Sequence, residues 1–326
     1  MTRRNGPKNR KILLFTLTLV MGLTFTTLNQ EFLTPHNFLT VAQQTMLYAL
    51  CAAGTLFPLL TGEVDFSTGF IFSVSGLTVC CAYALGAGTV SAVACALAAG
   101  MLLGAFNGFL VSVLRIPSYL ATLASVNLFR ALAHGLANVT ANAGYFDLSR
   151  AFPETLSTVL AFPDGLRILL SVTCLILLLA HIALTRTPWG LHLYATGGAE
   201  QTAVLAGVHT GRVKFTAFVL CGFFAATAGI AAAGSLGTVD AVSGMGYETD
   251  ALTAAVMGGV CLTGAQGSIP GIVFGALALA VLKSGLVVIQ AGSLWQYAAD
   301  GILLILFTGI PSAVHTLSAV VNRPKK

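Results

Sequence analysis

Charge is the scarcest thing in this sequence. Asp, Glu, Lys and Arg make up 8% of its 326 residues, where soluble globular domains carry roughly 25%. With 56% hydrophobic residues and a mean hydropathy of +0.88, a soluble globular protein is excluded. Paired metal or redox cysteines are also missing. Cys51, Cys80, Cys81, Cys95, Cys174, Cys221 and Cys261 all sit in apolar runs without CxxC spacing, as small buried hydrophobes do. The six histidines are scattered, with no HxxxH or HxxEH pair, so no metal site is expected. GxSxG is absent, and with it the commonest hydrolase elbow. The nearest approach to a phosphate-binding GxxxxGK[ST] is Lys283-Ser284, but Leu282 stands before the lysine and the segment is apolar. This chain does not bind ATP by that route.

What is present is a succession of apolar stretches of membrane-spanning length. They run over Ile12–Leu28, Leu39–Leu60, Phe66–Leu85, Thr89–Leu114, Ser118–Leu136, Leu166–Leu184, Val213–Ala233, Thr249–Thr263, Ile269–Ile289 and Leu294–Val321. The fold class is all-α: a polytopic membrane bundle of about ten spans forming one domain over residues 1–326. The Thr249 stretch is short and glycine-rich, the pattern of a re-entrant segment. The basic N-terminus followed by an apolar run also fits a cleaved signal, but TLNQEF offers no small-x-small cleavage site, so the run reads as a retained span.

The net charge of +5 is not a nucleic-acid signal, because its distribution follows the spans. With the N-terminus inside, the inside segments hold Arg3, Arg4, Lys8, Arg10, Lys11, Arg115, Arg186, Arg212, Lys214, Arg323, Lys325 and Lys326, twelve of the 16 Lys and Arg residues. The outside holds Glu31, Asp147, Glu154, Asp164, Asp240 and Glu248, opposed by Arg150 and Arg167. This bias places both termini and the 186–214 loop in the cytoplasm. The largest outside segment runs from 137 to 165.

Polar residues inside spans are costly and therefore informative. Glu63, Asp65, Ser67, Asn107, Asp250 and Lys283 are candidates for a translocation path or gate, with Asn127, Arg130 and Asp300 beside them. The competing reading is of interfacial residues, or of ion pairs that lock helices. Lys283 lies deepest and is expected to face the interior, with Asp300 a candidate partner. Gly100/Gly104 and Gly271/Gly275 have GxxxG spacing, which lets helix backbones approach closely. The two halves share an acid near a span start (Asp65, Asp250) followed by a GxxxG pair, a pattern suggesting inverted repeats; chance likeness among glycine-rich helices is the alternative.

The 186–214 loop, RTPWGLHLYATGGAEQTAVLAGVHTGRVK, is the longest polar interruption in the second half. Ala199 to Ala206 reads as a short helix after the Gly197-Gly198 break. Its apolar face is small, which suits insertion into a groove on a soluble partner better than lying on lipid.

The stretch from Trp189 to Val208 resembles the G-x3-YA-x-GGN-x-x-A-A-x-x-x-GI segment of permease subunits of ribose-type ABC sugar importers. Four further stretches agree in order. LTGEVDFSTG (60–69) is similar to SGGIDLSVG, and NGFLV (107–111) with IPSYLATL (116–123) to NGxLI and IPxFIxTL. GYETDALTAAVMGG (246–259) is similar to GYELDAIAAVVLGG, and LTGAQGSIPG (262–271) to LxGGxGxxxG. Glu63 and Ala265 stand where the family has glycine, and Ala199 where it has asparagine.

The resemblance implies a type II importer permease in a bacterial inner membrane, itself without catalysis or cofactor. A second permease copy, identical or different, would complete the pore. A cytoplasmic ABC ATPase, holding ATP and Mg, would dock on Gly197, Gly198, Ala199, Glu200, Ala203, Ala206 and Gly207. A periplasmic or lipid-anchored binding protein would deliver a monosaccharide on the face that carries Arg150 and Arg167, and would supply most of the selectivity. A nucleoside, an autoinducer sugar or a branched-chain amino acid is the alternative cargo. An ion-coupled secondary transporter and a membrane-embedded enzyme are the alternatives outside that class.

Overall fold

The computed structural model describes residues 7–142, 164–236 and 239–321. Among the described residues the chain is all-helical: twelve α-helices, one short 3-10 turn (Gln30–Leu33) and no strand. Ten of the helices fall on the ten apolar stretches: α1 Pro7–Leu28, α2 Pro35–Leu60, α3 Thr68–Ala84, α4 Thr89–Ser112, α5 Ser118–Asn142, α6 Asp164–Arg186, α9 Thr210–Leu236, α10 Tyr247–Met257, α11 Ile269–Val288 and α12 Ser293–Val321. The other two, α7 Pro188–Gly198 and α8 Glu200–Leu205, form the loop between α6 and α9. Helix α5 runs six residues past its expected end at Leu136. Residues 143–163, most of the expected outside segment and the site of Arg150, lie outside the described residues.

Among the described residues, five regions are by themselves long and apolar enough to cross a membrane: Thr89–Ser112, Ser118–Val139, Leu169–Arg186, Thr210–Ser235 and Ile269–Val288. Helix α2 is the central mast. Every residue from Met46 to Leu60 is buried, as expected of a helix that is apolar on all sides. Thr34 caps its start, accepting from Asn37 N–H at 3.3 Å, and Pro35 opens the first turn, where its missing N–H costs nothing.

Glycine sets the helix packing. A Cβ on Gly104 of α4 would strike Phe218 O of α9, and one on Gly222 of α9 would strike Gly100 O. On α11, Gly271 and Gly275 meet Gly258 and Ala254 O in the same way, which seats α10 against it. Both GxxxG pairs are thus close-packing faces, although the first meets α9 and the second α10. Such contacts gain the dispersion energy that lipid tails cannot supply.

Two stretches of the interior are not helical. Residues 61–67 leave the loop end of the bundle, the end that carries α7 and α8, and run inward to the start of α3. Residues 239–246 descend from the opposite end to the start of α10. They meet in the middle of the bundle. Gly69 and Gly244 pack backbone to backbone, and Gly244 N–H donates to Ser73 Oγ at 2.7 Å. Tyr247 stacks on Phe72 with ring centroids 4.5 Å apart.

Helix α10 is short because half the depth has already been covered by irregular chain. Its 11 residues rise about 16 Å, roughly half a hydrocarbon core. Irregular backbone at membrane depth is tolerated only where protein satisfies its polar groups. Here Glu63 N–H donates to Pro58 O at 3.0 Å, Val64 N–H to Ser118 Oγ at 3.1 Å, and Ser67 N–H to Asp65 Oδ1 at 2.8 Å. Two discontinuous segments entering from opposite ends is the arrangement that the inverted-repeat pattern anticipates.

Candidate coupling and translocation sites

The 186–214 loop begins with a capped helix. Thr187 Oγ1 accepts from Gly190 N–H at 3.2 Å, and Pro188 occupies the first helical position. Helix α7 therefore spans a stretch that the sequence presented as loop; Gly197 and Gly198 are its last residues, and the break ahead of the short helix falls one residue later. The chain turns at Ala199 (φ −162°, ψ 89°), and α8 follows for six residues. Gly207, at φ +86°, turns the chain toward α9; a left-handed residue of this kind suits glycine, which has no Cβ to clash.

The end of α7 is driven into the bundle. A Cβ on Gly197 would collide with Leu60 O and crowd Ala265 N, and the Gly197 backbone lies against Gly264, which in turn lies against Gly62 N. The turn after α2 and the turn after α10 are bonded to each other by Ala265 N–H donating to Leu60 O at 3.0 Å. The loop thus touches, in one place, the chain leading into the inward segment at Gly62 and the turn that joins α10 to α11 at Gly264. Tyr194 adds a second anchor, its hydroxyl donating to Gly267 O at 2.9 Å. Trp189 adds a third, packing on Phe57 and donating from Nε1 to Thr216 Oγ1 at 3.0 Å.

Helix α8 shows two faces. Ala203 is buried against the bundle, while Gly198, Ala199, Glu200, Ala206 and Gly207 are exposed. The apolar side chains turned outward are Val204, 52% exposed, and Leu205, 88% exposed. Val204 borders a groove of about 450 Å³ lined also by Gly207, Val208, His209, Thr210 and Arg212. Ala203, expected from the sequence among the contacts to a partner, is buried against the bundle, and the apolar side chains turned outward on α8 are Val204 and Leu205. Glu200 is paired with Lys214 at 2.9 Å. Burial alone would raise its pKa, but the Lys214 hydrogen bond and charge outweigh this and hold it below the usual carboxylate value.

The remaining polar candidates fall into three places. Glu63 lies at the loop end, 2.8 Å from Lys214 Nζ. Asp65, Ser67 and Asn107 form one buried network: Ser67 Oγ donates to Asp65 Oδ1 at 2.6 Å, and Asn107 Nδ2 donates to Ser67 Oγ at 2.7 Å. It secures the inward segment to α4. Asp250 and Lys283 meet in mid-bundle. Because Gly258 sits on Gly271 and Ala254 on Gly275, Asp250 comes level with the turn below Lys283 and pairs with it.

Asp300 of α12 closes the triad at 3.0 Å from Lys283 Nζ, and the ammonium also lies over the Tyr48 ring at 5.6 Å. Lys283 faces the interior, with Asp300 as its partner. A cavity of about 170 Å³ opens beside the triad, lined also by Tyr247, Gln296 and Tyr297. Asn127 and Arg130 are exposed on α5, with Arg130 over the Phe70 ring. Arg150 lies outside the described residues; Arg167 falls in the first turns of α6 and its side chain is not among those described. Among the described residues no cluster of His, Cys, Asp and Glu could hold a metal.

Comparison with known proteins agrees with this architecture. The profile of the family described as "Branched-chain amino acid transport system / permease component" matches residues 37–308. The ribose import permease protein of Escherichia coli K12 is 30% identical over 298 residues, covering 88% of this chain and 89% of its own length. That of Bacillus subtilis 168 is 30% identical over 304 residues, covering 90% and 88%. The autoinducer 2 import system permease protein of Yersinia pseudotuberculosis is 32% identical over 295 residues, covering 90% and 80%. No solved structure matches. A helical bundle of membrane-spanning length, two discontinuous segments meeting at its centre and a match over most of its length agree: the chain belongs to the family of membrane permease components of the branched-chain amino acid transport type.

Proposed function

We propose that this chain is the membrane-spanning permease subunit of an ATP-driven ABC importer, and that it passes a monosaccharide handed over by a binding protein. The observation that carries the reading is the Gly62–Gly197–Gly264 contact. It joins an exposed loop with an outward apolar face to the chain leading into the inward segment and to the turn between α10 and α11. A soluble ATPase gripping Val204 and Leu205 would thereby move the backbone around Asp65 and that ahead of α11. The chain performs no covalent step. Its residues hold, orient and release; ATP and Mg belong to the partner subunit.

In this reading the loop end and both termini face the cytoplasm, in accord with the basic residues gathered there. A second permease copy completes the pore, and the binding protein approaches from the other face, where Arg150 and Arg167 are the candidate contacts. The cargo class follows from the relatives: two carry ribose in their names and one carries autoinducer 2. The autoinducer relative is about as similar as the ribose permeases, so a sugar-like autoinducer is the second reading.

The test is uptake of labelled pentoses, hexoses and autoinducer 2 into proteoliposomes holding the permease, its ATPase and its binding protein. Uptake is expected only with ATP inside and all components present. Uptake that persists without the ATPase and collapses with an ion gradient would instead establish a secondary transporter.

A further inference from the structure

Glu63, Lys214 and Glu200 come from three separate pieces of chain: the inward segment ahead of α3, the second turn of α9, and the first residue of α8. One ammonium serves both carboxylates, with Lys214 Nζ 2.8 Å from Glu63 Oε1 and 2.9 Å from Glu200 Oε2. The two halves differ in exposure. The side chains of Lys214 and Glu63 are 14% and 18% exposed, while that of Glu200 is 47% exposed. Solvent and salt weaken the outer pair far more than the inner one. The neighbouring Gly197 contact is backbone against backbone. Such a contact resists compression steeply, but its atom pairs are held only by weak dispersion, so it transmits a push better than a pull. An ion pair transmits a pull.

We propose that Lys214 is a positioning residue that tethers the loop helix α8 to the segment carrying Asp65, so that the loop can draw that segment back as well as press on it. The inference rests on the importer reading above. Glu63 then belongs to the coupling apparatus rather than to the path of the cargo. Its side chain stands where the resemblance places a glycine, so the tether is a feature of this chain rather than of the motif. Both pairs stay closed as the loop moves, the half-exposed Glu200 end being the weaker link.

The experiment uses the complete reconstituted importer and reads cargo taken up per ATP hydrolysed, together with co-purification of the ATPase. Lys214→Gln and Glu63→Gln are expected to retain the ATPase and lower uptake per ATP by about fivefold or more, the scale of a coupling free energy between sites. Glu200→Gln is expected to fall less. The double variant K214Q/E63Q should be no worse than the worse single, because residues acting as one unit are not additive. Should K214Q fail to fold, the double variant leaves only the half-exposed Glu200 without its partner and is read alone; wild-type uptake per ATP in it overturns the tether. So do wild-type values in both folded singles, or a double variant whose loss is the product of the two single losses. Absence of ATP-dependent uptake in the unmodified complex would overturn the importer reading itself. A working importer indifferent to these variants removes only the tether.

Discussion

Ala265 holds a left-handed backbone, φ +59°, in the turn that donates to Leu60 O. An L-residue there costs roughly 1–2 kcal/mol. The sequence marked this position as one where the related motif has glycine, but only the backbone angle says what the departure does. Ala265→Gly keeps the N–H and relieves the strain. It should raise thermal stability in detergent by about 1 kcal/mol; an unchanged or lowered melting temperature would show that the turn is not strained. Lys283 is the opposite case, a residue whose loss leaves neighbours in trouble. Lys283→Met strands the Asp250 and Asp300 carboxylates, both largely buried, at a cost of about 3–5 kcal/mol. Asp300 Oδ1 already lacks a hydrogen-bond partner. The yield of monodisperse protein should drop sharply for K283M and recover in good part for K283M/D300N, which buries one carboxylate fewer. Failure of the second change to help would mean that the triad does not act as a lock.

Among the described α-helices, α8 is the shortest and the one on which the functional reading depends most. Its anchor, Ala203, faces inward, and Leu205 faces out. Leu205→Asp removes an apolar contact without touching the fold. It should abolish co-purification of the ATPase while leaving expression and monodispersity unchanged; retained association would place the docking surface elsewhere. The elements also show what the sequence could convey. A helix falls on each of the ten apolar stretches, because a long apolar run has few other uses. The GxxxG pairs were legible as packing faces, but not their partners, since a face does not name what meets it. The inward segment before α3 was partly hidden: Val64 and Phe66 continue the apolar pattern, so the predicted span began at Phe66, whereas the helix begins at Thr68. Helix α7 was masked by its glycines and polar residues, and its burial against the turns at Leu60 and Ala265 is a tertiary effect.

Across the whole molecule, the polar residues sort by height. Glu63, Lys214 and Glu200 occupy the loop end. The Asp65 network secures the inward segment, and the Lys283 triad lies in mid-bundle. None of these groupings was legible beyond Lys283 with Asp300. The partners lie far apart along the chain, 151 positions in the case of Glu63 and Lys214, and only the folded helices bring them together. The common feature is that irregular backbone is held at its ends by glycine contacts and at its centre by side-chain hydrogen bonds, an arrangement suited to motion between two packed positions.

The central claim is that the loop drives the buried segments through Gly197, and the most direct measurement is uptake per ATP hydrolysed in the reconstituted importer carrying Gly197→Leu. A side chain there collides with Leu60 O and forces α7 away from both turns. The account predicts that the ATPase still binds through Val204 and Leu205 and still hydrolyses ATP, while cargo uptake is lost. Uptake per ATP at the wild-type level in the folded variant would contradict it.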